Sequence, residues 1–241
     1  MISKQSLPEA PDFPAGEVIL INKDLDWTSF DVVNSLKIFL KYEFGIKKIK
    51  IGHAGTLDPK ATGLVIVCTG KKTKEIETFQ AQQKEYTGTF FIGKTTPSFD
   101  TEKVPDKDFP TEHITKAMIM ETAETFTGEI LQTPPVYSAV KIDGKKAYDY
   151  ARKNEAVKMK KRKVRIYRFE IENINLPLVD FRIICSKGTY IRSLADDFGK
   201  ALGSGAFLYR LCRRAIGDYR VEDALTVSEF KDIFSQVNPD K

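Results

Sequence analysis

Apolar positions along this chain fall into short blocks that alternate between two periods. Glu17 to Asn22 is a nearly continuous run of Val, Ile and Leu, which predicts a buried strand. Thr28 or Ser29 can cap the helix that follows, where Val32, Val33, Leu36, Phe39 and Leu40 recur at helical spacing. Lys41 to Lys50 reads as a basic connector. A strand is expected over Leu64–Thr69, a helix over Lys72–Gln80 and a second strand over Glu85–Gly93, where Tyr86, Gly88, Phe90 and Ile92 share one face. Pro97, Pro105 and Pro110 mark Thr95 to Glu112 as a loop.

Helical periodicity returns over Ile114–Phe126. Pro134 and Pro135 then break the chain before a short strand at Val136–Ile142, a turn at Asp143-Gly144 and a short helix over Lys145–Lys153. Val164–Ile174 and Val179–Ser186 read as strands joined by a turn at Pro177. Helices over Thr189–Leu202 and Thr226–Phe234 flank a strand at Ala206–Arg213. Strands and helices do not alternate strictly, so the fold class is α+β with a mixed sheet.

The chain has 241 residues, of which 41% are hydrophobic and 29% charged, as in an ordinary globular protein. One large domain over 17–241 is expected. Residues 1–16, punctuated by prolines and without the apolar core of a signal peptide, read as a flexible leader. No apolar run reaches the roughly 18 residues of a membrane span. Cys68, Cys185 and Cys212 stand far apart, and His53 and His113 are the only histidines, so neither a disulfide framework nor a metal site is expected. A cytoplasmic location follows as the expectation.

The net charge is only +5, but Lys141 to Arg168 carries twelve Lys/Arg against three Asp/Glu, so the rest of the chain is net negative. Tyr148, Tyr150 and Tyr167 lie among these cations. Cations for phosphates and rings for exposed bases are what a nucleic-acid surface needs. A lysine-rich solvated face has the same composition.

The densest candidate chemistry lies in Gly52-His53-Ala54-Gly55-Thr56-Leu57-Asp58-Pro59-Lys60-Ala61-Thr62-Gly63. Pro59 biases Asp58 toward an extended backbone, and the glycines allow sharp turns or close approach. On the residues alone, Asp58 can be a nucleophile, a general base or the cap of a helix that starts at Pro59. Thr69-Gly70-Lys71-Lys72-Thr73 fails the spacing of a phosphate loop. No dinucleotide fingerprint and no nucleophile elbow are present.

The order of several stretches resembles the TruB family, the tRNA pseudouridine-55 synthases. These are the Asp58 motif; Lys84-Glu85-Tyr86; Pro134-Pro135-Val136-Tyr137-Ser138-Ala139-Val140-Lys141; Gly144-Lys145-Lys146-Ala147-Tyr148; and Cys185-Ser186-Lys187-Gly188-Thr189-Tyr190-Ile191-Arg192. With Val18 to Val33 they span about residues 17 to 221. The resemblance implies a pseudouridine synthase fold, with a mixed, mostly antiparallel central sheet flanked by helices and a deep central cleft. It implies Asp58 as catalytic carboxylate, Tyr86 as the ring stacked on the target uracil, and Arg192 as the cationic partner of Asp58. His53, Tyr190, Leu211, Lys23 and Lys141 are the expected substrate-binding residues. A basic insertion at about 135–165 would close over the T-arm of tRNA.

No cofactor, metal, membrane or obligatory protein partner is implied, and a monomer is expected. Three departures stand out: Asp24 where the family usually has Pro, Leu211-Cys212-Arg213 where it has Leu-Arg-Arg, and too few residues after Val221 for a PUA domain. A non-catalytic tRNA-binding or folding chaperone is the alternative, disfavoured because binding alone has no use for a carboxylate that repels phosphate. A relative acting on ribosomal RNA within a guide-RNA particle is a third reading.

Overall fold

The computed structural model describes residues 1–138, 140–142, 144–152, 157 and 159–235. In chain order the elements are β1 (Val18–Lys23), α1 (Ser29–Glu43), β2 (Ile51–His53), β3 (Ala61–Thr69), α2 (Ile76–Ala81) and β4 (Lys84–Ile92). Then come β5 (Lys94–Thr95), β6 (Lys107–Asp108), α3 (Lys116–Thr125), β7 (Gly128–Gln132), β8 (Lys141–Ile142), β9 (Lys145–Lys146) and α4 (Ala147–Arg152). The last are β10 (Arg162–Asn175), β11 (Leu178–Cys185), α5 (Ile191–Ala201), β12 (Ala206–Ile216), β13 (Tyr219–Arg220) and α6 (Val227–Ser235). They form two compact units, one of Met1–Tyr86 with Cys212–Lys241 and one of Thr87–Leu211. Strands β4 and β12 contribute residues to both. No helix among the described residues is long and apolar enough to cross a membrane.

In the first unit the strand order is β1-β3-β12, with β2 added to β3 and β13 to β12. β1 and β2 both pair antiparallel with β3, Val18 opposite Cys68 and His53 opposite Val67. All of β3 except Thr62 is buried, so it reads as the continuous apolar run of a central strand. Val18, Leu20, Leu64, Ile66, Cys68, Phe79 and Ile216 form a core cluster. Helix α1 begins with a capping box: the Thr28 hydroxyl accepts from Asp31 N–H, and the Asp31 carboxylate accepts from Thr28 N–H.

The first sixteen residues are not a flexible leader. Ile2 pairs with Ile19 as a parallel bridge, and Ile2 and Phe13 are fully buried. Phe13 packs edge-on against Phe44, Phe230 and Phe234, so burial of a few apolar anchors outweighs the segment's proline content.

In the second unit the order is β12-β4-β11-β10-β7, and β10 pairs antiparallel with both β11 and β7. Rings of Phe90, Phe169, Phe181 and Phe198 pack together, the last from α5. Helix α5 sits tight on its neighbours because Gly199 leaves room: a Cβ there would lie 2.2 Å from the Ala206 nitrogen.

Several expected elements are redrawn. Residues 72–80 are not one helix but a 3-10 turn, Gly70–Glu75, followed by α2. Strand β7 was not expected, since adjacent Ile130 and Leu131 on a half-exposed edge hide the two-residue period. The expected strand at Val136–Ile142 shrinks to β8. The carbonyls of Ser138 and Val140 accept instead from Tyr148 and Ala147 at the start of α4. The Asp143-Gly144 turn lies partly outside the described residues. The expected loop Thr95–Glu112 contains a buried core segment, with Thr96, Ser98 and Asp100 at most 3% exposed and Phe99 carbonyl accepting from Leu208 N–H.

Candidate active site

Asp58 is residue one of a tight turn, not the cap of a helix. Its carbonyl accepts from Ala61 N–H at 3.0 Å, Pro59 occupies the second position, and the chain enters β3 at Ala61. Proline suits that position because its fixed φ matches the turn. The helix-cap reading of Asp58 therefore falls away.

The loop that carries Asp58 is anchored on three sides by buried polar groups. Ser29, the first residue of α1, accepts Leu57 N–H on its hydroxyl at 2.8 Å and returns a bond to the Leu57 carbonyl at 3.3 Å. Lys23, at the end of β1, donates from Nζ to the carbonyls of Trp27 (2.6 Å), Asp24 (2.9 Å) and Pro59 (3.4 Å). Arg213, only 1% exposed, donates from Nε to Leu64 O at 2.7 Å and from Nη2 to Gly55 O at 3.0 Å. Gly63 lets the Arg213 backbone come close, since a Cβ there would lie 2.4 Å from the Arg213 carbonyl oxygen. Gly55 supplies the turn, at φ +96°.

These anchors set the electrostatics. Lys23 is fully buried, and its ammonium pKa is lowered to about 8, first by burial, against the pull of the nearby Asp24, Asp58 and Asp26 carboxylates. Lys23, the expected substrate-binding lysine, directs its Nζ to three carbonyls and so supports the loop. Half-buried His53, at the end of β2, is held below the usual imidazole pKa by burial and then by the Arg213 guanidinium, so it stands neutral at pH 7. Asp58 thus shares its surroundings with one buried guanidinium and one reluctant ammonium.

The lowered Lys23 pKa has a measurable consequence. Between pH 8 and 10.5 the unfolded chain holds a proton that folded Lys23 has shed, so stability from this group rises with pH through that window. It is lost as pH falls through 8. Urea unfolding of the wild type and Lys23→Met at pH 7 to 10 should show the wild type gaining relative to the variant above pH 8. A constant difference would show that Lys23 is not held this way.

Tyr86 is the third residue of β4, 8% exposed. The remaining expected residues lie in the second unit. Tyr190 caps α5, Arg192 follows in its first turn, half-buried Leu211 is in β12, and Lys141 begins β8, its side chain outside the described residues. Arg192 is 4% exposed. It donates from Nη1 to Ser98 O (3.3 Å) and from Nη2 to Tyr137 O (3.0 Å), with Nε 3.6 Å from Asp100 Oδ2.

A cavity of about 430 Å³ opens beside Lys23, lined also by Lys4, Asn22, Asp24, Thr62, Arg214 and Glu222. Asp58 is not among its lining residues and neither is any aromatic ring, so it offers a base nothing to stack on. Sequence reasoning missed Arg213 and the anchoring role of Ser29. The only outward sign of Arg213 is the run Leu211-Cys212-Arg213-Arg214 inside a strand pattern.

Residues 41–191 match the family described as TruB family pseudouridylate synthase (N terminal domain). The chain belongs to the TruB family. It is 54% identical over 222 residues to tRNA pseudouridine synthase B of Flavobacterium johnsoniae, covering 92% of this chain and 97% of that protein. It is 52% identical to the protein of that name from Phocaeicola vulgatus, over 93% and 96% of the two chains. Among solved structures, a chain from the crystal structure of a Cbf5-Nop10-Gar1 complex superposes with a TM-score of 0.73 at 28% identity. The match covers all of this chain and 60% of that one. The α+β fold of mostly antiparallel strands is thus the pseudouridine synthase fold, and in this TruB-family chain the glycine-rich loop of Asp58 is bound to the first unit by Lys23, Ser29 and Arg213.

Proposed function

We propose that this protein isomerises a uridine of tRNA, the one at position 55 in the T-loop, to pseudouridine, with Asp58 as the catalytic carboxylate. The observation that carries the reading is the presentation of Asp58: a carboxylate on a turn whose backbone is gripped by three buried polar side chains. A helix cap or a solubilising surface charge has no use for such an anchorage.

The reaction breaks the N–C glycosidic bond, turns the uracil and joins its carbon to the sugar, with no redox change and no external energy source. A carboxylate serves it as a nucleophile or by stabilising positive charge on the sugar, as carboxylates do in glycosidases. Holding the loop in advance means that the carboxylate need not be organised at the moment of reaction. Tyr86 is the ring proposed to stack on the uracil, His53, Tyr190 and Leu211 line the base and RNA site, and Arg192 supplies a fixed cation. The target base must leave its stack, at a cost of a few kcal/mol offset by stacking and phosphate contacts.

The test is pseudouridine mapping on a T-arm stem–loop incubated with the purified protein alone. One modified base at position 55 is expected, and an unmodified hairpin would refute the reading. Binding should also weaken with salt. Lys163 and Arg168 carry exposed partners, Glu129 and Glu170, in bridges weak enough to be traded for phosphates. With about three phosphate contacts in the 135–165 region and its flanks, affinity should fall at least tenfold or so between 50 and 200 mM salt. A flat response would remove that region from the RNA interface.

A further inference from the structure

Tyr190 is held more firmly than contact with RNA requires. Gln132, fully buried at the end of β7, donates from Nε2 to the Tyr190 carbonyl at 3.0 Å and accepts Tyr190 N–H on Oε1 at 2.8 Å. One primary amide thus satisfies both backbone groups of a single residue, as a strand partner would. Over the Tyr190 ring lies the Arg162 guanidinium, its carbon 4.4 Å from the ring centroid. Arg162 Nη2 also donates to the Gly188 carbonyl, which keeps the guanidinium from swinging out toward solvent. The two holders are themselves neighbours: Arg162 and Gln132 are direct partners in the antiparallel β10/β7 ladder.

We propose that the cross-strand pair Gln132–Arg162 is a positioning device for Tyr190, Gln132 setting its backbone and Arg162 its ring. The proposal rests on the reading that Tyr190 lines the RNA site. It reassigns Arg162, which composition groups with the phosphate-binding cations, to an internal task. A planar guanidinium stacks on an aromatic face where an ammonium does not, so the two tasks make opposite demands on a substitution. A phosphate contact survives Arg162→Lys, whereas a stacked clamp does not.

Single-turnover pseudouridine formation and hairpin affinity at several salt concentrations decide the matter for Arg162→Lys, Arg162→Ala and Gln132→Leu. Each is expected to slow the saturated single-turnover rate about 10- to 100-fold, to change Kd less than about threefold, and to leave the salt slope as in the wild type. In a Tyr190→Ala background the same substitutions should have almost no further effect, because the pair acts through that residue. Rates that multiply independently of Tyr190, or a salt slope reduced by about 0.7 to 0.9 in Arg162→Ala with full activity in Arg162→Lys, overturn the clamp. Should Gln132→Leu fail to fold, Gln132→Glu keeps the acceptor for Tyr190 N–H and loses the donor. It is expected to fall between the wild type and the arginine variants, and wild-type rates there would count against the clamp. A wild type that forms no pseudouridine sinks the proposed reaction instead, and the salt-slope comparison still decides the role of Arg162.

Discussion

Asp58→Asn is expected to fold normally, bind a T-arm hairpin at least as well as the wild type, and lose pseudouridine formation by about 10⁴-fold or more. The magnitude is that of removing a group that takes part directly in bond making. The fold should survive because the turn depends on the Asp58 carbonyl, which accepts from Ala61 N–H, and on Pro59, both untouched. Asparagine is at home in the first position of such a turn. Removing a negative charge from an RNA surface should not weaken phosphate binding. The same substitution carries an internal control: the Asp58 charge helps to hold the Lys23 pKa up, so in Asp58→Asn that pKa should fall further below about 8. Pseudouridine mapping, hairpin affinity and the alkaline stability profile read the three effects separately. Retention of turnover would end the case for Asp58 as the catalytic carboxylate and reopen the binding-only alternative.

How much of this was legible beforehand depended on whether a residue's role was local or reached across the chain. Strands such as β3 and β11 show in the sequence because burial on one or both faces writes itself into the hydrophobic pattern. The edge strand β7 does not, because its exposed Leu131 breaks that pattern. Asp58 drew attention through its glycines and Pro59, yet what holds its loop in place depends on where the backbone groups of Gly55, Leu57 and Leu64 find partners. Those partners, Ser29 and Arg213, lie 29 and 155 positions away, and no local window contains them. Arg213 is the sharper case. A strand arginine ordinarily signals a solvent face, yet this one buries its head against the carbonyls of Leu64 and Gly55, on a backbone that bare Gly63 lets come close.

Composition misled in a similar way at both ends of the charge scale. Proline content made residues 1–16 look unattached, although Ile2 and Phe13 alone anchor them in the core. The basic run from Lys141 to Arg168 was read as one surface, although Arg162 within it is stacked on Tyr190. Net charge counts cations without regard to what each one touches.

Arg192→Met is expected to cost about 3–5 kcal/mol of folding stability. Arg192 and Asp100 are both 4% exposed at the side chain, and such a pair is most harmful when one member is removed. Asp100 would keep its bonds from Ser98 Oγ (2.6 Å) and Glu102 N–H (2.9 Å) but lose the cation that balances its charge. The carbonyls of Ser98 and Tyr137 would lose donors as well. A cation in the first turn of α5 also opposes the helix dipole, so helix propensity does not explain its place there; the carboxylate and the carbonyls do. Pairing the change with Asp100→Asn separates charge from packing: the double variant should regain at least about 1 kcal/mol over Arg192→Met, because the neutral amide no longer needs a counter-ion. Arg192→Lys should fall between, keeping the charge but not the fork that spans two carbonyls and a carboxylate. Urea unfolding of the four proteins measures this directly. A loss below about 1 kcal/mol in Arg192→Met would mean that Arg192 is dispensable to the fold, and any effect of its removal on pseudouridine formation would then have to be chemical. A large loss with no recovery in the double variant would place its contribution in packing and the two carbonyl bonds rather than in charge balance.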